Sequence, residues 1–415
     1  MAGRVHVVGA GLAGLSAAIW LAKVGYSVQI YESSGHAGGR CRSYHDSHLD
    51  QLIDNGNHLL LSGNRAALNY LREIGSAGSL TGPDRAEFPF VDLAADLRWT
   101  VRPDQGVIPW SIFSSNRRVP GSSMADYLRG LRLARARPGD TVAQCLGAES
   151  QLYRRFWEPL AVSVLNTAAV EGSAQLLWPV IRETFGRGEA ACRPLMAREG
   201  LSESFVTPAL AHLEARGGQI SFQHRLRHLV IEDGRISGLD FGEEVRSVDA
   251  ADSVILAVPP AVAADLVPGL TVPRQSCAIV NGHFHYSNAP RGTPFLGLVG
   301  GTAQWLFVRG DIVSVTVSAA DQLAGRPADE IAGLIWSDVA AALNLPSGLP
   351  ERYRIVKEQR ATFAQTPEQV RLRPGARTEW KNLYLAGDWT DTGLPATIEG
   401  TIRSGNASAE KIINA

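Results

Sequence analysis

Residues Val5 to Ala22, VHVVGAGLAGLSAAIWLA, run eighteen positions without a formal charge, close to the shortest apolar helix that crosses a bilayer. Residue order decides between a span, an export signal and something else. Gly9, Gly11 and Gly14 take the G-x-G-x-x-G spacing, with a short apolar run, RVHVV, before them and apolar or small residues at helical intervals after them. One arginine, Arg4, precedes a stretch crowded with glycine, which is not the pattern of an export signal. Strand, tight turn and helix is the reading that uses all three glycines. Gly9 permits the bend, Gly11 lets the backbone approach a pyrophosphate, and Gly14 lets helix and strand pack closely. Leu12 and Ala13 open the helix, where free N–H groups and the positive dipole end face the phosphates. A second strand, SVQIYE, ends at Glu32, whose carboxylate can accept both hydrogen bonds from an adenosine ribose.

At 415 residues the chain suggests two domains, interleaved along the sequence. Hydrophobic residues at 45% and charged residues at 20% are those of an ordinary globular protein, and a net charge of -1 gives no basic field for nucleic acid. Cys41, Cys145, Cys192 and Cys277 are far apart with no C-x-x-C pair. That spacing argues against zinc or any other metal, against a disulfide framework, and for a reducing cytoplasm.

After Glu32, the turn Gly38-Gly39-Arg40 allows a second close backbone approach with a guanidinium as counter-charge, or else is a plain surface loop. LIDNGNHLLL then carries Asp54, Asn55, Asn57 and His58 into what reads as buried strand, where polar groups need partners. His58 is read there either as a satisfied structural group or as a catalyst. From about 81 to 200 the alternation of strand and helix gives way to proline-broken helical stretches with several tryptophans. Within it, Ile108, Trp110, Ile112 and Phe113 stand beside Arg117, Arg118, Arg129, Arg132, Arg135 and Arg137. Such a segment suits a bilayer interface, the alternative being a solvated helix face next to core aromatics. FWEPLAVSVLNT follows, with Trp157, Glu158 and Asn166 as polar exceptions in a helix pair that could line an apolar cavity. Alternation returns at 201 with the strands QISF, RLRHLVIE (holding Leu229), RISGLDF and DSVILAV. Strands with one long helix fill 277–364, and NLYLAGDWTDTGLPATIEGTIRSG closes the pattern as strand, Gly387-Asp388 turn and helix start at Thr397, Ile398 and Glu399.

A flavin dinucleotide extends beyond its pyrophosphate and must be gripped from another part of the chain. The tail supplies this: Asp388 can accept from ribityl hydroxyls, and the helix start aims N–H groups where negative charge gathers on a reduced ring. The expected cofactor is therefore FAD. With no cysteine near Ala396, it is expected to bind non-covalently.

The first glycine turn with Glu32, Gly38-Gly39-Arg40 and AGDW…PATIEGTIRSG together resemble the amine oxidase and phytoene desaturase superfamily of flavoproteins. Within it, DNGNHLLL and FWEPLAVSVLNT are similar to the stretches that mark the squalene-associated branch, the hydroxysqualene dehydroxylases of hopanoid synthesis. Asn57 departs from that pattern, which has glutamine ahead of the histidine. The resemblance implies an α/β fold, with a Rossmann-like FAD-binding domain (1–80, 201–272 and 370–415) interleaved with a mixed sheet-plus-helix substrate domain. The latter takes 81–200 and 273–369, its helical, membrane-contacting part at about 105–190. The cofactor set is Gly9, Gly11, Leu12, Ala13, Gly14, Glu32, Gly38, Gly39, Arg40, Asn57, Leu229, Gly387, Asp388, Thr397, Ile398 and Glu399. Trp157 and Asn166 are assigned to substrate. The implied reaction is reductive loss of an allylic hydroxyl from hydroxysqualene, a lipid isoprenoid, by hydride transfer from reduced flavin in a dry cavity. Candidate proton donors are His58, Glu158 and Glu399. The protein is expected in the cytoplasm, peripheral on the inner face of the cytoplasmic membrane. An isoprenoid desaturase, an amine oxidase and a flavin-free prenyl-lipid carrier stay open as alternatives.

Overall fold

The structure, a computed structural model, describes residues 3–290, 292 and 294–415. Strand β1 (Arg4–Val8) buries four consecutive residues because both of its faces are covered, and helix α1 (Leu12–Lys23) starts after three intervening residues. Strand β2 (Ser27–Tyr31) lies parallel to β1 on one side and Ser253–Leu256 lies parallel to it on the other. Gln219–Ser221 extends the sheet beyond β2, and Leu383–Leu385 extends it beyond Ser253–Leu256. This five-stranded parallel sheet changes winding direction at β1. The crevice at such a switch, outside the carboxyl ends of the strands, is where open α/β sheets bind ligands.

The last helix, Ile398–Ile413, packs on α1 through small residues. A Cβ added at Gly405 would overlap Ser16 Oγ and the Ala13 carbonyl oxygen, so glycine sets the distance between the two helices. The N-terminal and C-terminal pieces of the chain are thereby in direct contact.

A second sheet has seven strands in the order Tyr353–Phe363, Ser276–His285, Ile312–Val317, Trp305–Arg309, Phe295–Val299, Phe88–Asp92, Leu97–Val101. All neighbours are antiparallel except Phe88–Asp92 with Phe295–Val299. The first two of these stretches in the chain, FPFVD and LRWTV, lie in the region read from sequence as helical, and are strands. The sheet alternates cleanly. Val280, Phe284, Val313, Val315 and Val317 bury one face against the helix Ala328–Leu343, while Asn281, His283, Ser314 and Thr316 occupy the other. The fold is α/β, a Rossmann-like parallel sheet interleaved along the chain with a mixed sheet and a helical layer. Among the described residues no helix is long and apolar enough to cross a membrane.

Candidate active site

The turn between β1 and α1 has the geometry its glycines require. Gly9 takes φ +105°, and a Cβ on Gly14 would overlap the Gly9 carbonyl oxygen. Gly11 differs: its backbone is extended, at φ -72° and ψ 175°, and no atom lies within 4 Å of an added Cβ. Neither strain nor crowding within the chain asks for glycine there. A ligand approaching the backbone would. Leu12, Ala13 and Gly14 form the first turn of α1, whose N-cap Gly11 has no side chain to satisfy their N–H groups. Glu32 Oε2 accepts from the Ala10 N–H at 2.8 Å and Oε1 from the Ser34 N–H at 2.8 Å. The Ser33 and Ser34 hydroxyls also donate to Oε1, so Glu32 fixes the glycine turn mainly through that oxygen, and Oε2, with the Ala10 N–H as its one partner among the described residues, keeps one lone pair for a ribose hydroxyl.

The second turn docks on the first. Gly38 and Gly39 take φ +100° and +58°, the Gly38 N–H donates to the Ala10 carbonyl, and the Gly39 Cβ position is 3.5 Å from Gly11 Cα. Arg40 then spans the crevice. Its guanidinium forms a fork with Asp388, Nη2 to Oδ1 at 2.9 Å and Nη1 to Oδ2 at 2.8 Å, and also donates to the Ala361 carbonyl. Gly387, at φ +153°, sets up this turn and its N–H donates to Ser404 Oγ in the last helix. Thr397 caps that helix through the Gly400 N–H, leaving the Ile398 and Glu399 N–H groups of the first turn free to donate. The crevice between the two glycine turns and the last helix thus joins donor groups at both ends with a cradle that a Cβ at Gly11 would enter. These residues fit a flavin dinucleotide. Leu229 lies half-buried in His228–Glu232, a strand of a separate three-stranded antiparallel sheet, opposite Leu239.

The Glu399 side chain goes elsewhere. It is buried, its two oxygens accept from the Ala66 and Ala67 N–H groups at 3.0 and 2.9 Å, and Arg403 donates to it at 2.9 Å. That carboxylate caps helix α2 (Arg65–Glu73) from outside and is no free proton donor.

DNGNHLLL is a strand only to Asp54. It then turns, and resumes for Leu60–Leu61. Asp54 anchors the turn by pairing with Arg309 at 2.9 Å and accepting from Ser43 Oγ and the Leu201 N–H. Asn57 Nδ2 donates to Thr316 Oγ1 at 3.1 Å, across to the polar face of the seven-stranded sheet. His58 is solvent-accessible, in the turn between Asp54 and Leu60. Its pKa is lowered, by burial first; the charge of Asp54 opposes this and that of Arg40 adds to it. His283 nearby is fully buried, bonded through Nδ1 to Ser314 Oγ at 2.8 Å, and desolvation pushes it down to about 4.

Glu158 begins the helix Glu158–Leu165, directly after a wide π turn over Tyr153–Trp157. Pro159 has no N–H to return to the Arg155 carbonyl, which explains a widened turn at this point. The Glu158 carboxyl is half-buried; desolvation raises its pKa against the weaker pull of Arg154. Trp157 is buried against Phe156 and Gly130. Asn166 is buried in a left-handed conformation, its Nδ2 bonded to the Cys277 carbonyl and Thr362 Oγ1 and its Oδ1 to the Ala319 N–H. Its amide is engaged entirely with protein.

Sequence reasoning passed over Asn281, Thr316, His283 and Gln365. Gln365 is fully buried, donating to the Leu165 carbonyl and accepting from the Ala396 N–H at 2.9 Å, so it ties the segment before the last helix to the helical layer. The run AIVNGHFH does signal the first and third: polar residues fall at alternate positions of an otherwise apolar strand.

Residues 12–413 match the family model described as flavin containing amine oxidoreductase. The hydroxysqualene dehydroxylase of Rhodopseudomonas palustris is 48% identical, covering 100% of this chain and 99% of that one. That of Sinorhizobium fredii is 47% identical over 98% of this chain and 97% of its own. Among solved structures, cyclohexylamine oxidase from Brevibacterium oxydans superposes with a TM-score of 0.72 over 100% of this chain and 99% of that one, at 15% identity, a likeness of fold.

Proposed function

The chain belongs to the flavin containing amine oxidoreductase family, and on that premise we propose that it removes the allylic hydroxyl of hydroxysqualene reductively, with FAD, to give squalene. The observation that carries this reading is the near-half identity, end to end, with hydroxysqualene dehydroxylases. The balance is alcohol, two electrons and two protons to hydrocarbon and water. Bound reduced flavin supplies the electrons as hydride.

The two glycine turns, Glu32, Arg40 with Asp388, and the start of the last helix would hold the cofactor. Departure of the hydroxyl as water needs a proton at the oxygen. Of the three donors considered, Glu399 is spent on capping α2, and burial favours the neutral, weakly acidic form of His58. Glu158 keeps a desolvated carboxyl whose pKa is raised, which favours the protonated form an acid must start from. We propose it as the proton donor, because it is half-buried at the start of Glu158–Leu165, a helix that Trp305 of the seven-stranded sheet bonds through Ser163 Oγ. The test of the reaction is anaerobic incubation of photoreduced protein with hydroxysqualene. Flavin should reoxidise in step with squalene detected by mass spectrometry; reduced flavin with no squalene overturns the reading.

The substrate is a membrane lipid, and the chain offers a surface for collecting it. Val107, Trp110, Phe113 and Leu131 are each more than 60% exposed, with Ile108, Met124 and Leu128 exposed beside them. Arg117, Arg129, Arg132 and Arg135 are exposed in the same segment. Exposed apolar side chains and exposed arginines interspersed along one segment suit the acyl and headgroup layers of an anionic bilayer. This supports peripheral docking on the inner face of the cytoplasmic membrane. The wild-type protein should float with vesicles containing phosphatidylglycerol, and a Trp110→Asp/Phe113→Asp protein should stay in the dense fraction. Equal flotation of the two would remove this surface from consideration.

A further inference from the structure

Asn55, Asn57, Thr316 and Asn281 form a chain of hydrogen bonds whose direction is fixed at one end. Asn281 Nδ2 is 3.2 Å from the Asn55 backbone carbonyl, which can only accept. The Asn281 amide therefore has one orientation, with Oδ1 toward Thr316, and accepts the threonine hydroxyl proton at 2.7 Å. A hydroxyl has one proton to give. Thr316 Oγ1 must then accept from Asn57, so the group it meets at 3.1 Å is Nδ2. The remaining atom, Asn57 Oδ1, is left as an acceptor with no partner among the described residues, on a side chain that is only partly buried.

The sheet makes this arrangement rigid. Asn281 and Thr316 are direct cross-strand neighbours, and Asn281 is fully buried. A polar pair of this kind on a strand whose other face is wholly apolar imposes a cost unless every group is satisfied. Each group in the chain is satisfied except the last. Asn57 precedes His58, which is solvent-accessible and near enough to Arg40 and Asp54 to feel their charges. The free acceptor thus stands at the polar face of the seven-stranded sheet, one residue from a side chain within electrostatic reach of Arg40, which pairs with Asp388.

Resting on the reaction proposed above, we infer that Asn57 Oδ1 accepts the hydroxyl proton of the substrate alcohol, and that Thr316 and Asn281 are positioning residues that aim it. The alcohol is the one polar group of an otherwise hydrocarbon substrate, and a hydroxyl buried without an acceptor loses the hydrogen bond it had in water. Holding its proton turns the oxygen lone pairs outward to receive another. The negative end of the amide dipole also faces the carbon that gains positive charge as water departs. A product lacking oxygen makes no use of the acceptor, so the arrangement favours substrate over product.

The experiment measures binding of hydroxysqualene and of squalene to oxidised holoenzyme, where no turnover occurs, by perturbation of the flavin absorption. Thr316→Val keeps the side-chain shape and removes the acceptor for Asn57. It should weaken hydroxysqualene about tenfold, the size expected of one hydrogen bond, and leave squalene unchanged. Thr316→Ser should restore the wild-type value. Asn57→Leu should cause at least the same loss, and Asn57→Leu/Thr316→Val no more than Asn57→Leu alone, because the threonine acts only through the amide. Equal weakening of both lipids, or additive losses, would overturn the inference. So would wild-type protein that binds the alcohol no better than the hydrocarbon. If reduced wild-type enzyme makes no squalene, the reaction itself falls and the assignment with it; if it does and Thr316→Val binds the alcohol normally, only the assignment falls.

Discussion

Gly11→Val protein should fold with the melting temperature of flavin-free wild-type protein and purify without flavin colour. The residue has an extended backbone that any amino acid adopts, and open space where its side chain would begin. The free chain therefore loses little on substitution, beyond the modest preference of a helix N-cap for glycine over valine. Two added methyl groups would instead stand between the first turn of α1 and the phosphates it receives. Loss of even two or three hydrogen bonds to charged oxygens, about 1.5–3 kcal/mol each, lowers affinity by more than a hundredfold. Gly14→Val makes the useful contrast: its side chain would collide with the Gly9 carbonyl, and both stability and flavin should suffer. Yellow, active Gly11→Val enzyme would mean that the pyrophosphate lies elsewhere.

Glu158→Gln should lower kcat by about 10²- to 10⁴-fold, the usual contribution of a positioned general acid, with flavin content and melting temperature intact. The amide keeps the shape and removes the ionisable proton. The pH dependence gives a second reading of the same residue. Because desolvation raises the Glu158 pKa, the protonated form persists to higher pH than for an ordinary carboxyl. Wild-type kcat should be highest on the acid side and fall as pH rises through that raised pKa, and Glu158→Gln should show no such fall. Undiminished turnover in the variant, or an unaltered profile, would return the assignment to His58.

What could be read ahead of the structure was whatever local spacing forces. Gly9, Gly11 and Gly14 can serve only a tight strand-to-helix turn together, and β1, α1 and β2 are where that turn puts them. The helix at Ala328–Leu343 and the strands around Val280 and Val315 were equally plain from their periodicity. FPFVD was not, because its parallel partner, Phe295–Val299, lies two hundred residues on and Pro89 interrupts its pattern. Glu399 illustrates a different limit. Its place at a helix start is visible in the sequence, but the destination of its carboxylate, the N-terminus of α2, depends on packing that no local window contains. The same holds for Asn281 and Thr316, which meet only once the register of two strands is set.

The contact of α1 with Ile398–Ile413, and of Arg40 with Asp388, bears on how the enzyme is made in the cell. At roughly 5–20 residues per second, a ribosome takes tens of seconds to travel from the first glycine turn to Asp388. Throughout that interval Ala13, Ser16 and Ala17 have no partner helix, and the parallel sheet lacks its Leu383–Leu385 edge. With the tail holding the flavin as proposed above, acquisition of the cofactor would wait until synthesis is nearly complete. Transcripts cut short before the tail would yield chains fit for degradation rather than weakened catalysts.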